Sequence, residues 1–479
     1  MSDTARSADS ASALAEAVAS GLPSTIADLS DLVRIPSVSW AAFDPTHVQA
    51  SADAVAKLAE ELGVFESVVI SRAKLGSSDE FGQPAVLATR TARNGKPTIL
   101  LYAHHDVQPP GRDDEWQTTP FEPTVVGDRL YGRGTADDKA GIMVHIAAIR
   151  ALIETHGPDF DLGLVLFIEG EEEFGSGSFA NFLAQHHDEL ASDVIVVADS
   201  DNWNINTPSL TVALRGNVAF NVTISTLAHA SHSGMFGGAA PDAMLAAIKL
   251  LATLHDADGG VAVDGLSSRT SDTPEYPEST LLRDAGFLEG VTPVGRGTVL
   301  DRLWNQPAIT VTGIDAPDVA NASNTLVPSV RVRISARIAP GQTAQDALQK
   351  LTAHLAAHAP FGAHLSYDDV QLGNPFLVDT GGPAVALVKD AMTRAWGVTP
   401  LETGIGGSIP FIADLVEQFP NAEILVTGVE DPDTRAHSPN ESLHLGVFKR
   451  AIHTEAILLS ELNAGTLQVA AQDRSGETP

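Results

Sequence analysis

Histidines and carboxylates follow apolar, strand-length segments at five places along the chain. The segment LLYAHHDV carries two histidines and an aspartate, and LVLFIEGEEE ends with three consecutive glutamates. The five groups are His104, His105 and Asp106; Asp137 and Asp138; Glu171, Glu172 and Glu173; Asp199 and Asp201; and His437. Ligands of open α/β sheets gather at the carboxyl ends of the strands. We therefore expect these side chains to meet at one edge of a sheet.

Imidazoles and carboxylates in this combination are typical of a divalent transition-metal site. The chain has no cysteine, so every metal ligand must come from His, Asp or Glu. This donor set favours Zn²⁺, Mn²⁺ or Co²⁺ over Ca²⁺. Three carboxylates and one hydroxide would neutralise a pair of divalent ions, so several of the acids are not needed as direct ligands. Those acids are available to orient an imidazole or to act as a general base.

The elements that must position these groups are apolar strands and helices in alternation over residues 85–200. Continuous apolar runs between helices predict a mostly parallel sheet with helices on both faces. After about residue 213, alternating strands with two long helices predict an inserted α+β domain, and the α/β pattern then resumes. The predicted architecture is an α/β domain formed by 1–212 and 374–479, with an inserted α+β domain at 213–373.

Composition argues against several classes of function. The chain has 61 acidic and 29 basic residues, a net charge of −32 and no basic cluster, which argues against nucleic-acid or anionic-membrane partners. Its apolar runs fall short of the roughly 20 residues that span a bilayer. The first thirty residues lack the basic start and apolar block of a secretory signal. A cytoplasmic protein is expected.

Five ordered motifs, from VRIPSVS near the start to RAHSPNESL near the end, carry a family resemblance. They resemble the co-catalytic zinc metallopeptidase family that includes carnosinases, cytosolic nonspecific dipeptidases, carboxypeptidase G, aminoacylase and succinyl-diaminopimelate desuccinylase. The resemblance covers nearly the whole chain, and HHDVQPP with GGSIP favours the dipeptidase branch. The resemblance implies a phosphorylase/hydrolase-like catalytic domain with an inserted lid or dimerisation domain. It also implies two bound divalent ions, foremost Zn²⁺, with Mn²⁺ or Co²⁺ as alternatives.

The resemblance also implies roles for individual residues. Asp106 would orient His104, Asp137 would bridge the two ions, and Glu172 would be the general base. The implied metal ligands are His104, Asp137, Glu173, Asp199 and His437. Asp201 is the alternative to Asp199, because both lie in ADSDN, and Glu171 has no assigned role.

Further roles implied by the resemblance concern the substrate and a second subunit. Arg337, Gly407 and Ser408 would bind the substrate carboxylate, for which a guanidinium is well suited. His232 resembles a histidine of the insert that reaches the partner subunit's active site and stabilises the oxyanion. This role implies a homodimer formed through the inserted domain.

Four further histidines and one aspartate have simpler explanations. His186 and His187 are adjacent on an amphipathic helix and are expected at the surface. His145 lies in an apolar helix and is expected in the core, and His444 is expected to have no part in the site. Asp138 is expected outside the metal site, where it would complement the dipole of the helix that follows.

The functional hypothesis is a metal-dependent dipeptidase that acts on small peptides with a free C-terminal carboxylate. Within the family, the alternative is an amidohydrolase or carboxypeptidase that removes an acyl group or a terminal amino acid. From a different class, the same acidic edge is compatible with a module that binds divalent cations or peptides without catalysis.

Overall fold

The computed structural model describes residues 3–407 and 410–465, with the side chains of 12–407 and 411–465. The helices are α1 (Asp3–Val33), α2 (Thr46–Glu61), α3 (Lys139–His156), α4 (Phe179–Gln185), α5 (His187–Leu190), α6 (Ser233–Phe236), α7 (Ala243–Leu251), α8 (Glu278–Asp284), α9 (Ala344–His358), α10 (Pro383–Trp396), α11 (Pro410–Gln418) and α12 (Leu445–Ala464). Short 3₁₀ turns include Glu172–Phe174.

The strands are β1 (Ser67–Ser71), β2 (Ala85–Arg90), β3 (Thr98–His104), β4 (Thr124–Val126), β5 (Arg129–Tyr131), β6 (Gly163–Glu169), β7 (Val194–Val197), β8 (Ser209–Leu214), β9 (Gly216–Ser225), β10 (Ser231–His232), β11 (Ala308–Asp315), β12 (Thr325–Leu326), β13 (Ser329–Ile338), β14 (His364–Gly373), β15 (Phe376–Leu377), β16 (Leu401–Ile405), β17 (Glu423–Val426) and β18 (Ser442–His444).

The chain divides into two compact units. The first contains 1–211, 378–402 and 414–479, and the second contains 212–377 and 403–413. The predicted insert, 213–373, begins one residue later and ends four residues earlier than the second unit. The segment 403–413, which the sequence pattern assigned to the catalytic domain, groups with the second unit.

The first unit contains a mixed sheet with the order β1-β2-β6-β3-β7-β17-β8, and the division between the units falls within β8. Strands β6, β3, β7 and β17 are parallel to one another, as predicted. Every residue of β6 is buried, as expected for a strand covered on both faces. Helix α3 packs against β3, α1 and α12, and its buried Lys139 donates to the carbonyls of Leu32 and Ile35. These contacts place the start of α3 beside the end of β3.

The second unit contains an antiparallel sheet with the order β11-β13-β9-β14. Burial alternates along β13, so one face of the sheet packs on α7 and α9 and the other is more exposed. This agrees with the predicted α+β character of the insert. Within the described residues, no helix is both long enough and apolar enough to cross a membrane.

Candidate metal centre

Four of the five predicted groups follow strands of the parallel part of the first unit's sheet. The carboxyl ends of β3, β6, β7 and β17 precede His104 to Asp106, Glu171 to Glu173, Asp199, and His437 respectively. The fifth group differs from the prediction, because β5 belongs to a small antiparallel sheet, β18-β5-β4. Asp137 is instead positioned by the loop that leads into α3.

Two groups of three potential ligands lie at this edge. The first is His104, Glu172 and Asp199, and the second is Asp137, Glu173 and His437. Within each group, one donor atom of each side chain lies within 4.8 Å of the others. The structure therefore brings together all five predicted ligands and the predicted base.

Asp137 faces both groups with different oxygens. Its Oδ1 lies 3.2 Å from His104 Nε2, and its Oδ2 lies 2.9 Å from His437 Nε2. Glu173 Oε2 lies 3.2 Å from the same His437 nitrogen. A carboxylate whose two oxygens point to two histidines has the geometry that a bridging ligand requires. The role stays a prediction, but this arrangement supports it.

The surroundings of His104 fit a metal ligand. Its Nε2 is buried and has no hydrogen-bond partner among the described residues. Its Nδ1 lies 3.1 Å from the backbone oxygen of Asp106 and 3.4 Å from the Asp106 carboxylate. An acceptor that contacts the Nδ1 of a ligating imidazole in this way fixes the orientation and tautomer of the ring. The unsatisfied nitrogen therefore points toward Asp137, Glu172 and Asp199, where a cation would complete it.

The charge balance of the two groups also favours cations. Burial raises the pKa of Glu173 to about 7, with the charge of Asp137 adding to the effect, and burial raises the pKa of Asp199 to about 6. Hydrogen bonding to Asp137 and Glu173 raises the pKa of His437 to about 11. Without metal, the site thus retains protons that a divalent ion would displace.

Two buried carboxylates, Asp106 and Glu441, hold the backbone that carries the candidate ligands. The buried Asp106 carboxylate accepts hydrogen bonds from the backbone N–H groups of Glu172 and Glu173, both at 3.1 Å. The buried Glu441 carboxylate accepts from the N–H groups of Ala136 and Asp137, at 3.0 and 3.2 Å, and pairs with Arg133. Sequence reasoning missed Glu441, although it lies in the RAHSPNESL motif, because nothing local distinguishes it from an ordinary surface glutamate.

Other acidic residues near the centre have separate tasks. Glu171, which had no predicted role, accepts hydrogen bonds from the N–H groups of Gln83 and Ser178 and so fixes the turn that holds Glu172. Asp138 makes no capping hydrogen bond to its helix; its Oδ2 accepts from His104 N at 3.2 Å. The side chain of Asp201 is exposed and belongs to neither group of ligands.

The remaining histidines largely follow expectation. His145 is buried and contacts Glu455. His444 caps α12 and lies outside both groups. His187 is exposed, and His186 is partly buried, because its ring packs on Phe182.

The predicted substrate residues lie in the second unit or outside the described residues. Arg337 is half-buried on β13, and Gly407 follows β16. His232 is exposed, and its Nδ1 accepts from Gly234 N. Ser408 lies outside the described residues. Their roles stay predictions.

A buried arginine that sequence reasoning missed holds the segment before Gly407. Arg215 Nε donates to the carbonyl oxygen of Gly406 at 3.0 Å, and its Nη1 lies 3.3 Å from the carbonyl of Gln306. Burial lowers the pKa of Arg215 to about 10, with the charge of Arg337 adding to the effect. Arg215 lies in the segment RGN, between β8 and β9, where nothing in the local sequence indicates this role.

Comparison with known proteins identifies the family. The model of peptidase family M20/M25/M40 matches residues 100–461. The chain belongs to this family. It is 34% identical over 403 residues to a cysteinylglycine-S-conjugate dipeptidase of Corynebacterium striatum, covering 83% of this chain and 86% of that protein. It is 28% identical to the Cys-Gly metallodipeptidase dug1 of Schizosaccharomyces pombe, covering 91% of this chain and 94% of that protein. The predicted metallopeptidase family is confirmed.

Solved structures of the family share the fold. The dipeptidase Dug1p of Saccharomyces cerevisiae superposes with a TM-score of 0.76 at 22% identity, covering 95% of this chain and 98% of that one. Human carnosine dipeptidase 1 superposes with a TM-score of 0.74 at 22% identity, covering 95% of this chain and 99% of that one. The predicted α/β fold class with an additional α+β domain is confirmed.

Because protons and metal ions compete for the same ligands, metal affinity should increase with pH. We expect the apparent affinity for Zn²⁺ to rise at least about tenfold between pH 6 and pH 8, as Glu173, Asp199 and His437 give up protons on binding. Competition titrations against a chromophoric chelator, corrected for the chelator's own protonation, measure this. An affinity independent of pH would contradict the assignment of these ligands.

The metal content of two variant proteins shows which aspartate of ADSDN is a ligand. Asp199→Asn should lower the bound metal from about two equivalents to about one, because Asp199 Oδ2 lies 4.0 Å from His104 Nε2. Asp201→Asn is the matched control and should keep both equivalents. Elemental analysis after dialysis checks this, and the reverse pattern would assign the ligand to Asp201.

Proposed function

We propose that the chain is a dipeptidase that hydrolyses dipeptides with a free C-terminal carboxylate, using two divalent ions, foremost Zn²⁺. The observation that carries the proposal is the pair of ligand groups, one of which contains Glu172, with the two oxygens of Asp137 facing a histidine of each group. His104, Asp199 and Asp137 would hold one ion, and Asp137, Glu173 and His437 the other. When bound, such ions polarise a carbonyl and lower the pKa of water.

The position of Glu172 suits a general base. Its Oε2 lies 4.0 Å from His104 Nε2, and its backbone is fixed by Asp106. Burial raises the pKa of Glu172 well above its ordinary value, with the charge of Asp199 adding to the effect. A carboxylate of raised basicity at this place can take a proton from water and return it to the leaving amine.

Substrate recognition in the proposal depends on residues of the second unit. Arg337, Gly407 and Ser408 would bind the terminal carboxylate. Arg215 supports this assignment, because it restrains Gly406 and adds positive charge beside Arg337. The relatives are named for cysteinylglycine, its S-conjugates and β-Ala-His, all of which are compounds with a free C-terminal carboxylate. The cytoplasmic location stays a prediction.

Replacement of the base tests the mechanism. Glu172→Gln should lower kcat by roughly 10²- to 10⁴-fold, the usual contribution of a general base, while the metal content is retained. Glu189→Gln, at an exposed position of the same unit, is the control. Dipeptides, N-acetyl amino acids and N-succinyl amino acids should be compared under Zn²⁺ and Mn²⁺.

The panel distinguishes the alternatives. Activity on acylated amino acids alone would favour the amidohydrolase over the dipeptidase. If the parent hydrolysed no substrate with any metal, the non-catalytic binding module would stand. Unchanged hydrolysis by Glu172→Gln would assign the base elsewhere.

We further propose a homodimer formed through the inserted domain, in which His232 serves the partner subunit's site and stabilises the oxyanion. The exposed position of His232 is compatible with this role. Co-expression of inactive Glu172→Gln with inactive His232→Ala should then restore part of the activity, because mixed dimers contain one intact site. A monomer in analytical ultracentrifugation, or the absence of such complementation, would exclude the arrangement.

A further inference from the structure

An aromatic pair, the exposed Phe174 and the partly buried Trp40, lies next to the candidate metal centre in the first unit. Phe174 directly follows Glu173, yet 57% of the residue is exposed. Its ring meets that of Trp40 edge to face, with 5.3 Å between the centroids and 64° between the planes. A large apolar side chain left exposed beside a polar centre marks a surface that another apolar group can cover.

One buried carboxylate ties both members of this pair to the metal ligands. Asp106 Oδ2 accepts from the hydroxyl of Ser39 at 2.7 Å and from the N–H of Glu173 at 3.1 Å. These two donors belong to the residues that immediately precede Trp40 and Phe174. The same carboxylate lies 3.4 Å from His104 Nδ1. The aromatic pair is therefore held at a fixed place relative to the ligand His104.

The backbone around the pair is restrained by further contacts. Phe174 ends the 3₁₀ turn Glu172–Phe174, and Gly175 follows with φ 93°, a conformation that glycine adopts readily. The N–H of Phe174 donates to the carbonyl of Glu171. On the other side, the amide of Gln83 donates to the carbonyl of Ser39. Phe174 thus projects from a rigid turn rather than from a loose loop.

We propose that Trp40 and Phe174 form a subsite that binds an apolar side chain on the N-terminal residue of the dipeptide. The proposal rests on the proposed dipeptidase function. The scissile carbonyl, which the centre must hold, belongs to the N-terminal residue. That residue's Cβ is two bonds from the carbonyl carbon, whereas the Cβ of the C-terminal residue is three bonds away and lies beside the carboxylate. We therefore expect the aromatic pair, which is fixed relative to the metal ligands, to contact the N-terminal side chain rather than the C-terminal one.

Edge-to-face aromatic contacts and the burial of an apolar side chain both stabilise such a complex. The subsite should therefore favour large apolar N-terminal side chains over small ones. It would also accept an apolar substituent on the sulfur of an N-terminal cysteine. It should make little distinction between C-terminal side chains.

The test uses the metal-loaded chain of 479 residues and four substrates: Phe-Gly, Ala-Gly, Gly-Phe and S-benzyl-cysteinylglycine. Phe174→Ala and Trp40→Ala should each lower kcat/KM for Phe-Gly and S-benzyl-cysteinylglycine by roughly tenfold, a loss in the range of one aromatic contact and its buried area. Activity on Ala-Gly and Gly-Phe should change by less than about threefold. Phe361→Ala, which removes a phenylalanine of similar exposure from the second unit, is the control.

Each outcome separates the subsite from a structural role. An equal loss on all four substrates, or a greater loss on Gly-Phe, would overturn the proposal. Phe174→Leu keeps an apolar side chain and should retain an intermediate preference even if Phe174→Ala unfolds, and a Leu variant without any preference would also overturn it. If the parent hydrolysed none of the four, the proposed function would fail with it, whereas activity without selective loss would refute the subsite alone.

Discussion

The concentration of carboxylates at one edge of a sheet is the constraint on which the rest of this structure depends. Asp137, Glu172, Glu173 and Asp199 lie around two histidines, and Glu430 interacts electrostatically with Asp137 and Asp199. Burial raises the pKa of Glu430 well above its ordinary value, with Asp137 and Asp199 adding to the effect. Such a cluster is stable only when protons or cations neutralise it. Metal binding therefore replaces protons that the folded chain would otherwise have to retain.

Two buried carboxylates outside the two groups of candidate ligands hold this arrangement in place. Asp106 restrains His104 and the backbone of Glu172 and Glu173, and Glu441 restrains the backbone of Asp137. Both acids are satisfied by N–H donors or by a buried arginine, so they need no cation of their own. The candidate ligands and the positioning groups therefore differ in their partners. The positioning carboxylates accept hydrogen bonds from N–H groups, whereas the candidate ligands face one another, and the Nε2 of His104 among them has no hydrogen-bond partner within the described residues.

Much of the fold could be predicted from the sequence, because its signals are local. The apolar runs of β3, β6 and β7 need burial on both faces, and the alternation along β13 needs one buried face. Errors arose where the signal was not local. The strand before Asp137 looks like the others but pairs with β18, a segment more than 300 residues away. The grouping of 403–413 with the second unit likewise has no sequence signature.

The sequence by itself determined which donors are present, the order in which they occur and the absence of thiol ligands, since these are properties of residue type. The family motifs added the expected division of roles among adjacent glutamates. Only the tertiary structure decided that Asp199 rather than Asp201 lies with His104, and that the two oxygens of Asp137 face different histidines. The tertiary structure also decided which backbone groups Glu171, Glu441 and Arg215 bind. Those contacts depend on the direction in which a side chain leaves a folded backbone, and residue type and spacing do not specify that direction.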